Sequence, residues 1–185
     1  MSRRHRSAAG FTLPEVLMVV AILGIVAAIA IPMGLTMTER MRLNQGLREV
    51  ERELQTARLK AVSINKSLQV RFNCPAAGQY RIVEVMNSGI DNTMNRCSQA
   101  AYPVRTGRDA DPATPDFDGP VRYLTNQVQF PAGTVVFQFA PTGQTLQVVG
   151  NGRQVIAPTG VDLTLTKGTL TGTVNVNGLG RIRIQ

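Results

Sequence analysis

The feature that most constrains this chain is a long uncharged run near its N-terminus. No Asp, Glu, Lys or Arg occurs between Val16 and Thr38. As an α-helix this run would be about 35 Å long, and the hydrocarbon core of a bilayer is about 30 Å thick. The sequence therefore predicts a helix that can cross a membrane once.

A basic cluster precedes this run, because the segment Arg3–Arg6 holds three arginines. Arginines beside a membrane helix stay on the cytoplasmic side, so we expect everything after Thr38 on the outer side. A plain membrane anchor competes here with two export signals. A cleaved secretory signal would have its cleavage site at the small residues Ala28 and Ala30. A twin-arginine export signal would use Arg3 and Arg4, although no apolar pair follows them closely.

The composition argues against an enzyme. The only histidine is His5, so removal of the first ten residues would leave no histidine for a catalytic triad, a general base or a zinc site. Two cysteines alone cannot form a structural zinc site. We therefore predict no catalytic residues, no cofactor and no metal. The formal net charge of +8 rests mostly on arginine.

A carboxylate lies at the start of the apolar segment. Glu15 would cost up to about 2.5–3.5 kcal/mol at the centre of a membrane helix, so it needs a function or a partner. The segment Gly10–Glu15, with the sequence GFTLPE, resembles the type IV prepilin signature. The resemblance implies that a prepilin peptidase cleaves after Gly10, that Phe11 becomes N-methylated, and that the apolar helix stays on the mature protein.

Glu15 has two interpretations. In a helical filament, Glu15 of one subunit would neutralise the new amine of Phe11 in a neighbour, and a wrong register would leave both charges unpaired. Alternatively, Glu15 is a solvated carboxylate that the dipole favours at a helix N-terminus. We favour the assembly role, with other pilins or pseudopilins as partners.

An apolar stripe continues the helix beyond the uncharged run. Its members alternate four and three residues apart: Leu43, Leu47, Val50, Leu54, Ala57, Ala61 and Ile64. Three heptads are few for a coiled coil, and the two alanines suit close packing on a sheet. We predict one helix from about Pro14 to Ile64, a kink or local melting at Pro32 and Gly34, and an end at Asn65.

The pattern changes to period two after Ser67. Leu68, Val70 and Phe72 alternate with polar residues, and further strand-like runs lie at 79–85, 134–139, 145–149, 161–166, 169–176 and 181–185. Segment 87–120 is an irregular insertion. The chain is predicted to be α+β: a long N-terminal spine helix packed on an antiparallel β-sheet domain.

A second resemblance concerns the end of the helix and the first strand. Ala57–Val62, Asn65 and Leu68–Val70 resemble the GspH/FimT group of minor pilins and pseudopilins. The resemblance covers about the first 85 residues and the last few, and it implies a spine helix and two β-sheets. The expected parts are a leader (1–10), the membrane and filament-core half of the helix (11–38), its amphipathic half (39–66) and a β-rich domain (67–185).

The C-terminal segment Gly180–Ile184 places two arginines on one strand face. Arg181 and Arg183 would project together while Ile182 and Ile184 face the core, and paired guanidiniums suit phosphate. The GRxR pattern is similar to a motif of FimT-type minor pilins in which these arginines bind DNA during uptake. A solvated strand face and an interface with a neighbouring pilin are the alternatives; Lys167 and Arg153 could extend the patch.

Two features remain between the strands. Cys74 and Cys97 would lie outside the membrane, where disulfides form, and a disulfide closing this loop is favoured over two free thiols. The segment Asp109–Asp118 alternates carboxylates that could hold Ca²⁺. It lacks a full EF-hand pattern and its prolines stiffen it, so a solvated acidic loop is favoured.

The sequence thus predicts a single-pass protein of the bacterial inner membrane with a periplasmic domain, which then enters a pilus or pseudopilus. The expected function is that of a minor type IV pilin of the FimT type, incorporated in or priming a pilus and binding duplex DNA for natural transformation. The alternative is a GspH-like minor pseudopilin of a type II secretion system.

Overall fold

The structure is a computed structural model that describes residues 12–86, 94–107, 114–150 and 152–185. The processing positions Gly10 and Phe11 lie outside the described residues, as do Asp109 and Asp111. The chain divides into two compact units, Met1–Glu39 and Arg40–Gln185.

One long helix, α1, runs over Leu13–Ile64 and confirms the predicted spine helix. Its N-terminal part is long and apolar enough to cross a membrane, with a mean hydropathy of 2.9. The helix continues through Pro32 and Gly34 without a break, so the predicted local melting is wrong. A proline inside a helix removes one backbone hydrogen bond, here the bond to the Ala28 carbonyl, and the helix tolerates this loss.

The helix ends where the sequence indicated. Asn65 has a left-handed φ of 55°, which asparagine tolerates better than most residues. The Lys66 N–H donates to the Ala61 carbonyl at 3.1 Å and the Asn65 N–H to the Val62 carbonyl at 3.3 Å. These two bonds form a Schellman motif, which satisfies carbonyls of the last turn.

Nine antiparallel strands form two sheets, which confirms the α+β prediction for the described part of the chain. The strands are β1 Leu68–Phe72, β2 Gln79–Glu84, β3 Val121–Tyr123, β4 Val136–Phe139, β5 Thr145–Val149, β6 Gly152–Val155, β7 Val161–Lys167, β8 Leu170–Val176 and β9 Ile182–Ile184. The six-stranded sheet has the order β3-β2-β1-β4-β5-β6, and the three-stranded sheet has the order β7-β8-β9.

The core lies between the amphipathic half of α1 and both sheets. The predicted stripe is buried from Leu43 to Ala61, and Ile64 packs at its margin. Phe137 and Phe139 of β4 meet it from one sheet, and Leu163 and Leu165 of β7 from the other. Gly172 of β8 lies so close to Leu47 that a Cβ there would come within 2.5 Å of it.

The outer face of the six-stranded sheet is also covered at β1 and β2, which the alternating pattern did not indicate. Gln69 of β1 and Arg81 of β2 lie on that face, and both are buried. Arg81 donates hydrogen bonds to the carbonyls of Arg96, Ser98, Tyr102 and Gly119, all in or beside the insertion. A disulfide joins Cys74, after β1, to Cys97 in the insertion, with the Cα atoms 5.0 Å apart.

Candidate functional site

The candidate site begins at the turn between β8 and β9, residues 177–180. The Gly180 N–H donates to the Asn177 carbonyl at 2.9 Å, and the Asn177 N–H donates to the Arg181 carbonyl at 3.0 Å. The Asn177 side chain also accepts a bond from the Arg181 N–H at 2.8 Å. Gly180 has a φ of +80°, which favours glycine. The backbone that carries Arg181 is therefore held by three local bonds.

Arg181 and Arg183 are both exposed and lie two residues apart: Arg181 directly precedes β9, which is an edge strand, and Arg183 lies within it. Residues at this spacing point to the same side of a strand. Within the described residues, neither guanidinium forms an ion pair with a carboxylate. The two predicted arginines are thus exposed to solvent at the sheet edge formed by β9.

The isoleucines of β9 differ from each other. Ile182 is 6% exposed and joins the core, as expected, but Ile184 is 37% exposed. The expectation that Ile184 faces the core is wrong. It lies at the last position of a short edge strand, paired only with Val174 of β8, so nothing covers its other side within the described residues.

A row of polar side chains flanks Arg183 on the outer face of the three-stranded sheet. Arg183 pairs across the sheet with Asn175, which pairs in turn with Asp162. The same face carries threonines on both neighbouring strands: Thr164, Thr166, Thr171 and Thr173. Sequence reasoning missed this surface, although its signal was the alternation of polar residues along β7 and β8.

Arg58 connects the helix to this turn, and sequence reasoning missed it as well. Its Nε donates to the Gly143 carbonyl at 2.9 Å and its Nη2 to the Leu179 carbonyl at 3.1 Å. Arg58 also lines a cleft of about 440 Å³ together with Val155, Ile156 and Leu179. No local pattern signals this contact, because the three segments are far apart in the sequence.

At the other end of the chain, Glu15 lies exposed in the first turn of α1. Its carboxylate accepts a bond from the Thr12 N–H at 3.5 Å. This is the geometry of a carboxylate at a helix N-terminus, where the dipole favours negative charge.

Residues 5–31 match a family described as the prokaryotic N-terminal methylation motif. The chain is type IV pilin-like. The motif implies processing by a prepilin peptidase and assembly with other pilins, and it points to a structural protein rather than an enzyme. Searches of curated proteins and of solved structures found no match to the chain.

Two other cations of the pilin-like protein do not join the arginine pair as the sequence suggested. Lys167 is buried, and its Nζ donates to the Asn126 carbonyl at 2.6 Å, so its predicted contribution to the patch is wrong. Arg153 is exposed on β6, which belongs to the other sheet. The candidate patch consists of Arg181, Arg183 and the polar row beside them.

The expected solvated acidic loop is also corrected. Asp118 is fully buried and pairs with Arg96, whose Nη2 lies 3.0 Å from its Oδ1. Asp116 is buried as well, near Lys66 and Glu84. Burial raises the pKa of Asp118, and the hydrogen bond from Lys66 to Glu84 raises the pKa of Lys66. Burial lowers the pKa of Arg81, the second cation beside Asp118.

This buried cluster is held together by ion pairs that join the insertion, β2 and Lys66. Each described carboxylate in it faces Arg or Lys, and no group of three metal-binding side chains occurs among the described residues. Lys66 Nζ contacts Glu84 Oε1 and Asp116 Oδ2, and Arg96 Nη2 contacts Asp118 Oδ1. The cluster fastens the insertion to β2, because Arg96 and Asp118 come from the insertion and Arg81 from the strand.

Proposed function

We propose that this pilin-like protein is a minor pilin of the FimT type that enters or primes a pilus and binds duplex DNA for uptake in transformation. The observation that carries the proposal is the pair of exposed guanidiniums, Arg181 and Arg183, on one side of β9. Their backbone is fixed by the turn before them, so the pair is arranged before DNA arrives.

The chemistry of this surface suits a sugar-phosphate backbone. A guanidinium presents two parallel donors that match two phosphate oxygens. Thr171 and Thr173 on the same face as Arg183 supply neutral donors, which contribute to phosphate contacts in many DNA-binding proteins. Binding of this kind releases counterions, so it weakens with salt and is insensitive to base sequence.

Assembly of the pilin would depend on Glu15 and Phe11. Cleavage after Gly10 would give Phe11 a new amine, and Glu15 of a neighbouring subunit would pair with it in the filament. The exposed position of Glu15 in the first turn of α1 and its contact with the Thr12 N–H support this role. The domain after the membrane helix would lie in the periplasm, where incoming DNA passes.

The test is DNA affinity across a salt series. The full chain in a neutral detergent would be titrated into fluorescent duplex DNA, and the double variant Arg181→Ala/Arg183→Ala would be compared with wild type. We expect a large loss of affinity, and the slope of log K against log salt should fall by up to about 1.8, since each lost phosphate contact removes about 0.9.

The matched control is Arg48→Ala/Arg52→Ala, which removes two exposed arginines from α1 and the same net charge. It should retain nearly all of the affinity. Equal losses in both double variants would mean that net charge alone attracts DNA, and the assignment to β9 would fail. Absence of binding by wild type at low salt would favour the alternative function, a GspH-like pseudopilin of a type II secretion system.

A further inference from the structure

Arg58 lies where the helix meets the turn that starts β9. It is half-buried on α1, and its guanidinium reaches two turns, one between β4 and β5 and one between β8 and β9. Both acceptors are backbone carbonyls, those of Gly143 and Leu179. We propose that Arg58 is a positioning residue that holds the turn carrying Arg181 and Arg183; this inference rests on the proposed DNA-binding function.

Two glycines make room for this guanidinium. A Cβ on Gly180 would lie 2.1 Å from Arg58 Nε, and a Cβ on Gly143 would lie 3.3 Å from Nη2. Both glycines also have left-handed backbones, with φ of +80° and +82°. The glycine before Arg181 thus has two functions: it forms the turn, and it admits Arg58 against the backbone.

The turn has other supports, so Arg58 adjusts it rather than creating it. The Gly178 carbonyl accepts a bond from the Thr145 N–H at 3.0 Å, and a Cβ on Gly178 would clash with the Ile156 carbonyl at 2.1 Å. These contacts fix the first half of the turn. Arg58 acts on its second half, at Leu179, next to Gly180 and Arg181. Loss of Arg58 should therefore loosen the arginine pair and leave the sheets folded.

Positioning and direct phosphate contact predict different salt dependence. If Arg58 only holds the turn, a variant that lacks it still presents the same phosphate-binding groups to DNA. Its affinity for DNA should fall, while the slope of log K against log salt stays the same. If Arg58 itself binds a phosphate, the slope falls by about 0.9. Two of its N–H groups already donate to protein carbonyls, and this favours positioning.

The decisive variant is Arg58→Lys, which keeps the charge but cannot make both carbonyl bonds with one ammonium group. Measured on the full chain in detergent, its affinity for duplex DNA should fall about three- to tenfold with an unchanged salt slope, as expected from the loss of one to two net hydrogen bonds. The control Arg52→Lys, on the exposed face of the same helix, should bind like wild type.

A second variant changes Gly180, the glycine that lies against Arg58. Gly180→Ala keeps every charged residue but displaces Arg58 and strains the turn, so it should lower affinity at constant slope as well. Thermal unfolding and the exchange of the Arg181 amide hydrogen would be followed in both variants. We expect faster exchange at Arg181 in both variants, little change in the melting temperature of Arg58→Lys, and a lower melting temperature for Gly180→Ala, because alanine is strained at a φ of +80°.

Wild-type affinity in Arg58→Lys would overturn the positioning role, and so would a salt slope lowered by about 0.9 in Arg58→Met, which keeps the alkyl chain but removes the charge. Either result is distinct from failure of the proposed function, which would appear as equal binding by wild type and by Arg181→Ala/Arg183→Ala. Equal binding by these two proteins would also refute a role of Arg58 in DNA binding.

Discussion

Arginine has two kinds of environment in this chain, and exposure separates them. Arg81 and Arg96 are fully buried and bind carbonyls or Asp118, so their charges hold the insertion on the six-stranded sheet. Arg181 and Arg183 keep their guanidiniums in solvent at a sheet edge. The same side chain thus stabilises the fold in one place and is exposed to solvent in the other.

The buried pair makes a prediction about stability. Asp118→Asn keeps the shape of the side chain but removes the charge that compensates Arg96 and Arg81. A buried cation left without its partner typically costs about 3–5 kcal/mol. The free energy of unfolding of the full chain in detergent, from urea titration, should fall by about that amount.

Asp162→Asn provides the control for this titration, because Asp162 is exposed on β7. Its effect should stay below about 1 kcal/mol, as for most exposed charges. Similar losses in both variants would show that the buried pair contributes no more than a surface carboxylate.

At the level of secondary structure, the elements with strong periodicity were predicted well. The 4-3 stripe of α1 is buried because one face of the helix meets the sheets, and β7 and β8 alternate because one face is core and the other solvent. The short strands β3 and β6 were missed: three or four residues carry too little pattern, and β6 is exposed along its whole length.

The candidate site was predicted only where a local pattern encoded it. Arg181 and Arg183 follow from strand spacing within five residues. Arg58 and the burial of Asp118 could not be foreseen, because each depends on segments that are distant in sequence. In the sequence alone, the acidic residues from Asp109 onward have the pattern of a solvated loop. The fold is needed to place Arg81, from β2, beside Asp118.

The helix makes a prediction about assembly. Glu15→Ala should leave α1 in the membrane, because removing a carboxylate makes the apolar segment easier to insert. It should block incorporation into filaments, because the amine of Phe11 in a neighbour would lose its partner. Membrane fractions and sheared filaments, probed with an antibody against the chain, measure the two steps separately.

Glu51→Ala is the matched control for assembly, since it removes a carboxylate from the amphipathic half of the same helix. It should appear in filaments at the wild-type level. Incorporation of Glu15→Ala at that level would refute the pairing of Glu15 with Phe11.

At the scale of the whole molecule, the chain combines a helix that can cross a membrane with a folded unit from Arg40 onward. The N-terminal methylation motif covers residues 5–31 and makes this a type IV pilin-like protein. Assembly into a pilus requires that the helix remains on the mature chain, because a pilin without it has neither an anchor nor a filament core.

The most direct test of this requirement is the intact mass of the chain purified from bacterial membranes that contain a prepilin peptidase. The account predicts a protein that starts at Phe11 and carries one added methyl group. The same chain from cells without the peptidase should retain Arg3–Arg6. A mature protein that starts after Ala30 would mean ordinary signal cleavage and loss of much of the apolar helix, and it would contradict the pilin-like assignment.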